Sequence, residues 1–339
     1  MEVTRKSGIV LPVNSADSSH TGHARRQAIA MASAIGFSEL RQGQLAIIVT
    51  EAARNIAAHG VRGEIILSPW HFKGDSGIDV LALDSGQGIA DIGRSLEDGY
   101  STAGTPGQGL GAMSRLAAVL QIYSSPGKGT AVFARVLAES PSAESAATDY
   151  YLGAVSLAMS GETACGDAWS VAHSAGRSIY IVADGLGHGP FAAEAAQEAI
   201  RVFEESCNLT PTRILANVHG ALAKTRGAAV SIAEIQHDKG LLNYAGVGNI
   251  AGSILQDGKA RSLISMNGTL GHTVGKIQHF SYPWEANSSL IMHSDGLATR
   301  WSFEQFPGLA ARHPALIAGV LYRDFCRKRD DVTILITRI

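Results

Sequence analysis

Cysteine and net charge are both scarce in this sequence. Its 339 residues include three cysteines, Cys165, Cys207 and Cys326, and none of them belongs to a CxxC pair. This spacing argues against a disulfide framework and a zinc knuckle, and it suits a reducing compartment. Lysine and arginine number 28 against 30 aspartates and glutamates, which leaves a formal net charge of −2. We therefore expect no general attraction to nucleic acid or anionic lipid.

Long hydrophobic runs are missing as well. Residues 1–23 lack the apolar stretch of a signal peptide, and no later run reaches the roughly 18 apolar residues of a membrane helix. Hydrophobic residues make up 45% and charged residues 17%, as in an ordinary globular protein. These absences predict a soluble, cytoplasmic protein with no membrane contact and no nucleic-acid partner.

The chain is long enough for two hydrophobic cores. Domains of about 100–200 residues are usual, so two domains are expected. The segment 138–149, AESPSAESAATD, is small, polar and acidic, and it shows no periodicity. We predict a linker there, between a first domain at 1–137 and a second at 150–339.

The first domain begins with helical periodicity. Apolar residues recur at helical spacing over 23–37 and again over 38–60, where Ser38 is the predicted helix start. A third helix is predicted over 108–120. The predicted strands are 63–72, 77–84, 121–125 and 130–137. This pattern indicates an α/β domain with helices on one face of a sheet.

The second domain is richer in strands. Helices are predicted over 190–206 and 211–224, with further helix near the end of the chain. The predicted strands are 150–159, 168–174, 178–184, 228–236, 241–248, 288–294 and 331–339. No internal repeat relates the two halves.

Polar residues of the first domain are spaced as in a nucleotide site. Glu51 and Asn55 lie four residues apart, on one face of a predicted helix, where they could position a hydroxyl group and Mg²⁺. The same pair would also suit a plain solvent-facing surface. Asp84 ends a strand in the pattern D-x-G-x-G, where its carboxylate can accept a hydrogen bond from the amino group of a base. Glycines then precede the helix at 108–120, whose free N–H groups could bind phosphates.

The ordered motifs E-x-x-x-N, D-x-G-x-G, G-x-G-L-G and PGKGT resemble the GHKL ATP-binding fold, and TEAARNIAAHG is similar to the RsbT-type switch kinases of bacterial stress signalling. The resemblance covers about residues 23–137 and implies an α/β sandwich that binds ATP with Mg²⁺. It implies that Glu51 is the general base, Asn55 the magnesium ligand and Asp84 the adenine-binding residue. Residues 99–111 would form the lid and phosphate loop. The other implied nucleotide contacts are Gly86, Gly88, Gly107, Gly109, Leu110, Gly111 and Thr130.

Aspartates recur at strand ends in the second domain. They are Asp167, Asp184, Asp295, Asp330 and Asp331. Strand ends can bring distant carboxylates together, and Mg²⁺ and Mn²⁺ prefer oxygen ligands. Two such ions could clamp a phosphate and lower the pKa of a water that attacks it. A single D-G pair, by contrast, is usually only a turn.

The strings ADGLGHGPFAAEAA and YAGVGN resemble the SpoIIE-type branch of the metal-dependent serine/threonine phosphatases, and the RsbX-type members in particular. The match spans about residues 150–339 and implies an α-β-β-α sandwich with two Mn²⁺ or Mg²⁺ ions. The implied ligands are Asp167, Asp184, the Gly185 carbonyl, Asp295 and Asp330. Asp331 stands where many relatives carry asparagine, so we expect it to support the ligands. His188 is either an acid or orienting group near the phosphate, or a structural histidine in a glycine turn.

Together these resemblances predict an α/β (α+β) protein with two enzyme-like halves. The first hypothesis is a bifunctional partner-switching regulator that phosphorylates and dephosphorylates a STAS-domain anti-sigma antagonist or a related phosphoprotein. The second keeps the phosphatase as the only enzyme and makes the GHKL domain an ATP sensor or partner-binding module. The third makes both domains non-enzymatic scaffolds. The resemblance to GHKL switch kinases also allows a homodimer.

Overall fold

The structure is a computed structural model that describes residues 7–14, 19–72, 74–95, 109–139 and 151–338. Its contacts divide the chain into two compact units. The first consists of Gly8–Thr148 and Ala311–Arg323, and the second of Met1–Ser7, Asp149–Ala310 and Asp324–Ile339. The domains predicted from the sequence are contiguous, so the observed division differs from them at the segment 311–323.

The first unit contains one antiparallel sheet, and helices lie between some of its strands in the sequence. Its strands are β1 (Ile9–Val13), β2 (Gly63–Phe72), β3 (Asp75–Leu83), β4 (Val119–Ser124) and β5 (Thr130–Leu137). Its helices before residue 139 are α1 (Ser19–Ala34), α2 (Glu39–His59), α3 (Ile92–Ser95) and α4 (Gly109–Leu116). The strands pair in the order β1-β2-β3-β5-β4.

Helices α1 and α2 cover one face of this sheet. Along α1, Ala24, Ala28 and Ala32 are fully buried, and their small side chains allow close packing. Helix α2 begins where the sequence predicts, because Ser38 Oγ accepts a hydrogen bond from Arg41 N–H (3.3 Å). Alternate residues of β3 join the apolar side chains of α2 in one core, as the period of a half-buried strand requires.

The second unit contains two antiparallel sheets. Its strands are β6 (Tyr151–Leu157), β7 (Asp167–Ser174), β8 (Arg177–Gly185), β9 (Ala228–Gln236), β10 (Leu241–Val247), β11 (Ala251–Gln256), β12 (Lys259–Ser262), β13 (Phe280–Pro283), β14 (Ser289–His293) and β15 (Val332–Arg338). Two helices, α5 (Pro190–Ser206) and α6 (Pro211–Ala221), follow β8. The strand orders are β13-β10-β9-β8-β7 and β12-β11-β14-β15-β6.

Side chains that alternate along β8 show how these layers stack. Ile181 points to one side and packs in a cluster with Phe203 of α5. Tyr180 points to the other side and packs with Met292 and Leu335 of the second sheet. The two sheets therefore lie face to face, with α5 and α6 on the outer face of the first. This arrangement confirms the predicted mixed α/β fold class.

A further helix, α7 (Pro314–Phe325), lies between β14 and β15 in the sequence but largely within the first unit. The ring of His313 stacks on Phe133, with 4.6 Å between the ring centroids. A methyl group built on Gly319 would lie 2.9 Å from a methyl carbon of Leu81. These contacts place α7 on the face of the sheet opposite α1 and α2, since successive side chains of a strand point to opposite faces. Segment 311–323 belongs to the first unit, rather than to the second as a contiguous division would have it, because it covers the apolar face of that sheet.

Some local predictions are corrected. The helix predicted over 108–120 ends at Leu116, because Val119 already begins β4 and pairs with Arg135 of β5. Strands β1, β11, β12 and β13 are absent from the sequence prediction. Strand β12 is exposed along its whole length, so hydrophobic alternation leaves no signal there. No helix in the described part of the chain has both the length and the apolar character needed to cross a membrane.

Candidate functional sites

The first candidate site lies where β3 ends, at Asp84. Its N–H donates to the carbonyl of Thr130 at the start of β5 (2.9 Å). Asp84 is 8% exposed, and its Oδ1 accepts a hydrogen bond from Gly86 N–H (2.7 Å). Burial raises the pKa of Asp84, while the Gly86 hydrogen bond and the charge of Arg323 act in the opposite direction. The site therefore offers a recessed carboxylate acceptor, which suits the amino group of a base.

Glycines allow the backbone around Asp84 to pack closely. Gly129 has a φ of +82°, and a methyl group built on it would collide with the carbonyl oxygen of Asp84. Gly88 also has a positive φ, of +77°, in the loop after β3. Thr130 Oγ1 lies 3.0 Å from Ser124 Oγ, which in turn accepts a backbone hydrogen bond from that loop (2.7 Å). The D-x-G-x-G and PGKGT segments are therefore joined in one structure.

A second group of residues meets between α2 and α4. Glu51 and Asn55 project from one face of α2, and the first residue of α4 lies against that face. A methyl group built on Gly109 would be 3.0 Å from Glu51 Oε2 and 3.8 Å from Asn55 Oδ1. Glu51 Oε1 accepts a hydrogen bond from Nη1 of Arg54 (2.8 Å), a residue whose side chain is 67% exposed. The carboxylate and the amide thus lie beside a helix N-terminus, whose free N–H groups favour anions.

The predicted phosphate loop is described only from Gly109 onward. Leu110 packs against the core beneath α2, and Gly111 is buried within α4. Gly107 and the rest of the predicted lid, residues 99–108, lie outside the described residues. The described part of the predicted nucleotide site therefore forms one group around Asp84 and another around Gly109.

The second candidate site lies at strand ends of the second unit. Asp167 and Asp184 stand directly opposite each other on β7 and β8. Asp167 is 3% exposed, and its Oδ2 accepts a hydrogen bond from Ser294 Oγ (2.6 Å). Gly185 ends β8, where its N–H donates to the carbonyl of Gly166 (3.0 Å). The strand register brings these two carboxylates together at the open end of the β7–β8 hairpin, although the whole hairpin separates them in the sequence.

The strands β14 and β15 contribute the other carboxylates. Asp295 follows β14 and accepts a hydrogen bond from Nδ2 of Asn249 (2.8 Å). Asp330 and Asp331 precede β15. The buried Asp331 accepts hydrogen bonds of 2.8 and 2.9 Å from two backbone N–H groups of the loop between β6 and β7. Asp331 therefore holds that loop in place beside the cluster.

Burial and mutual repulsion together set the electrostatics of the aspartate cluster. Burial raises the pKa of Asp184, and the other aspartates of the cluster raise it further: Asp167, Asp295, Asp330 and Asp331. Burial also raises the pKa of Asp167, against the effect of the Ser294 hydrogen bond. Among the residues that the structure describes, no three histidine, cysteine or acidic side chains stand close enough to hold an ion as they are. The donors nevertheless fit a divalent cation, because they are hard oxygens whose negative charge it would offset, and rotation of these side chains could close the ligand set.

A histidine and a glutamate form a pair beside this cluster. His188 Nδ1 lies 2.6 Å from Glu162 Oε1, and the His188 side chain is 54% exposed. Its charge acts on both Asp330 and Asp331. This geometry favours an oriented histidine over a purely structural one. Sequence reasoning missed Glu162 and Arg323, because neither ends a predicted strand nor belongs to a spaced motif.

Comparisons with known proteins assign a family to each half. Residues 14–136 match the histidine kinase-like ATPase domain, and residues 174–339 match Stage II sporulation protein E (SpoIIE). The serine/threonine-protein kinase RsbT of Bacillus subtilis (strain 168) is 34% identical over 102 residues, or 30% of this chain and 77% of RsbT.

Solved structures are similar as well. One described as "The bacterial stressosome: a modular system that has been adapted to control secondary messenger signaling" is 29% identical, with a TM-score of 0.53, and the match covers 56% of this chain and all of that one. The PP2C phosphatase domain and regulatory fragment of SpoIIE from Bacillus subtilis is 17% identical, with a TM-score of 0.48, over 94% of this chain and 92% of its own.

The family matches define a chain in which a histidine kinase-like ATPase domain, related to a serine/threonine-protein kinase, is joined to a SpoIIE domain. The chain belongs to the RsbT family through its N-terminal half, and its C-terminal half is a SpoIIE domain. The predicted fusion of these two families is thereby confirmed. Such a combination fits a partner-switching regulator.

Proposed function

We propose that this chain is a bifunctional switch that adds phosphate to, and removes it from, a serine or threonine of one partner protein. The observation that carries the proposal is the position of Glu51 and Asn55 against the first residue of α4, in a domain related to a serine/threonine-protein kinase. The aspartate cluster of the SpoIIE domain supports the opposite reaction. Both reactions in one chain would let it set the phosphorylation level of its partner.

In the kinase half, each group of residues has a separate task. Asn55 would hold the Mg²⁺ that accompanies ATP; ATP would supply the phosphoryl group, and Mg²⁺ would supply positive charge that offsets the phosphate oxygens during transfer. Asp84 accepts a hydrogen bond from the adenine amino group, with Gly86, Gly88 and Thr130 lining that part of the site. The N-terminal N–H groups of α4 bind phosphate oxygens.

Glu51 orients the hydroxyl group of the partner and takes up its proton as the general base. Arg54 bonds to Glu51 Oε1, so Oε2, which lies beside Gly109, can take the proton while the ion pair persists. An exposed ion pair of this kind stabilises a protein by only about 0–1 kcal/mol, so its loss would also cost little. The pair therefore presents a small barrier to catalysis.

In the phosphatase half, two Mn²⁺ or Mg²⁺ ions would supply the charge that binds phosphate and the acidity that activates a water. The proposed ligands are Asp167, Asp184, the Gly185 carbonyl, Asp295 and Asp330. His188, oriented by Glu162, donates a proton to the departing serine or threonine oxygen. Asp331 keeps the surrounding loop in place through its backbone hydrogen bonds.

The partner we propose is a STAS-domain anti-sigma antagonist in the cytoplasm. Support comes from the relationship to RsbT and from the likeness to a structure whose description names the bacterial stressosome. A homodimer is a further proposal that rests on the resemblance to GHKL switch kinases.

One observation favours a second candidate function. Glu51 is already paired with Arg54, which would suit a nucleotide-binding domain that regulates the phosphatase without transferring phosphate. In that case Asp84 and the helix N-terminus would still bind ATP, and Glu51 would have only a structural part.

Intact-mass spectrometry of the partner distinguishes these two functions. Purified Asp295→Asn chain, expected to lack phosphatase activity, is mixed with Mg-ATP and the STAS protein encoded nearest to it. The expected result is that the STAS protein gains one phosphate, and that it gains none when the Asp295→Asn chain also carries Glu51→Gln. Glu39→Gln on the exposed start of the same helix is the control and should leave the gain unchanged. Bound ATP without any gain would favour the regulatory function.

A further inference from the structure

Arg323 joins the C-terminal sequence to the candidate nucleotide site. It lies near the end of α7, within the first unit. Its Nη1 donates a hydrogen bond to the main-chain carbonyl of Asp84 (3.1 Å). The N–H of Asp84 donates to Thr130, and its Oδ1 accepts from Gly86. Contacts from α7, from β5 and from the loop after β3 therefore all hold Asp84 in position.

Arg323 also contributes to the charge around the Asp84 carboxyl group. Burial raises the pKa of Asp84, and the positive charges that lower it come from Arg323 on α7 and His59 at the end of α2. A guanidinium group stays protonated across the physiological pH range. Arg323 is therefore a permanent cation beside the proposed adenine-binding carboxylate.

The residues after Arg323 are tied to the aspartate cluster of the second unit. Two backbone hydrogen bonds, of 3.0 and 2.8 Å, join 325–327 to the turn 296–298. That turn directly follows Asp295, and the chain reaches Asp330 a few residues after the same stretch. Covalent bonds and short hydrogen bonds thus lead from Asp84 to both loops.

We propose that Arg323 is a positioning residue of the nucleotide site, and that through it nucleotide binding alters the loops that carry Asp295 and Asp330. The inference rests on the proposed binding of adenine at Asp84. A base bound to the Asp84 carboxylate favours one position of the Asp84 main chain, and Arg323 follows that carbonyl because it is bonded to it. Binding linkage requires the effect to be reciprocal, so occupancy of the aspartate cluster changes nucleotide affinity by the same factor.

Titration calorimetry of the full chain with Mg-ADP tests the positioning role. Arg323→Met keeps the side-chain length but removes the donor and the charge, so we expect about tenfold weaker ADP binding. Arg323→Lys retains a donor and a charge and should restore most of the affinity. Arg312→Met, at an exposed position of the same segment, is the matched control and should bind ADP as the parent chain does. Recovery in the lysine variant excludes a merely folding-related loss.

Asp84→Asn separates this inference from the proposed function. If Asp84→Asn binds ADP as tightly as the parent, the adenine assignment itself is wrong. If Asp84→Asn loses ADP while Arg323→Met binds like the parent, the nucleotide site stands and the positioning role of Arg323 is overturned.

Hydrogen exchange tests the connection to the aspartate loops. Amide exchange at 296–298 and 325–330 is followed in excess Mg²⁺, with and without saturating ADP. We expect ADP to slow this exchange in the parent, and to leave it unchanged in Arg323→Met at ADP concentrations that saturate the variant. Exchange that is the same with and without ADP in the parent would overturn the connection.

Discussion

At the scale of single residues, two aspartates that follow or end buried strands have opposite electrostatic surroundings. The neighbouring charges that act on Asp84 are the cations Arg323 and His59, whereas those that act on Asp184 are carboxylates. A carboxylate beside cations can serve as a hydrogen-bond acceptor for an amino group, and one among carboxylates calls for a divalent cation. Of the two, only Asp184 is followed directly by glycine. Because both aspartates lie at strand ends, the neighbouring charges, rather than the strand-end position itself, decide which ligand each site suits.

Asparagine at position 184 should stabilise the metal-free chain. Burial and the neighbouring carboxylates raise the pKa of Asp184 from 3.8 to about 9. The folded state thus keeps a proton that the unfolded state releases, and stability falls as the pH rises from about 4 to about 9. We expect Asp184→Asn to increase the free energy of unfolding by about 1–2 kcal/mol at pH 8 in EDTA, and by less at pH 5.

Thermal melts with EDTA and with Mn²⁺ measure this effect. Mn²⁺ should stabilise the parent but not Asp184→Asn, since the substitution removes a proposed ligand. Asp257→Asn changes an exposed aspartate of the same unit and should melt like the parent in both conditions. A lower midpoint for Asp184→Asn in EDTA would contradict the electrostatic account.

Glutamine at position 162 should slow dephosphorylation without weakening metal binding. Glu162 holds His188 through one 2.6 Å contact and is not a proposed ligand. We expect Glu162→Gln to lower kcat about tenfold or more, because a misoriented histidine delivers its proton poorly. Phosphate release from a phosphoprotein, measured across a Mn²⁺ titration, gives both kcat and the apparent affinity for Mn²⁺. Glu194→Gln, at an exposed position of α5, is the control, and unchanged kcat in Glu162→Gln would argue for a structural pair.

At the scale of elements, the well-predicted segments are those with a strong local pattern. Strand β9 was predictable because apolar residues fill most of it, interrupted by Ser231 and Glu234, and α2 was predictable from its periodicity and its Ser38 cap. Strand β12 is exposed along its whole length and β13 is only four residues long, and both form because neighbouring strands offer them partners. The early end of α4 likewise depends on pairing between β4 and β5.

The turn between β4 and β5 provides a matched pair of glycine tests. Gly127 and Gly129 have similar φ values of +74° and +82°, but only a methyl group on Gly129 would meet Asp84. Alanine at Gly127 should cost about 1 kcal/mol of unfolding free energy from backbone strain alone. Alanine at Gly129 should cost about 2–3 kcal/mol more and weaken ADP binding, because it displaces the Asp84 carbonyl. Urea unfolding measures the loss of stability, and ADP titration measures the loss of binding. Equal losses in the two alanine variants would mean that steric contact with Asp84 is unimportant.

At the scale of the whole molecule, the first unit is discontinuous in sequence. Segment 311–323 supplies α7, whose residues Pro314 to Tyr322 are all buried, and it covers the sheet face that carries Leu81 and Phe133. Removing this segment should therefore affect the ATPase half, although the segment follows most of the phosphatase sequence.

A truncated chain of residues 1–139 should expose that apolar face. Because uncovered apolar surface drives association, we expect it to self-associate and to bind an apolar dye more strongly than the full chain does. Sedimentation velocity and dye fluorescence check this outcome. Leu81→Gln in the truncated chain should reduce both signals. A monodisperse truncated monomer with low dye binding would show that α7 is dispensable for this unit.

The sequence by itself determined the two families, the order of their motifs and most helices and strands, because these depend on residue types at short, regular spacings. The tertiary structure alone decided that Asp167 faces Asp184, that His188 meets Glu162 and that Arg323 reaches Asp84. Each of these contacts depends on strand register or on the packing of a helix against a sheet. The partners in the last contact are separated by more than two hundred residues, and no local pattern encodes a distance across such a separation.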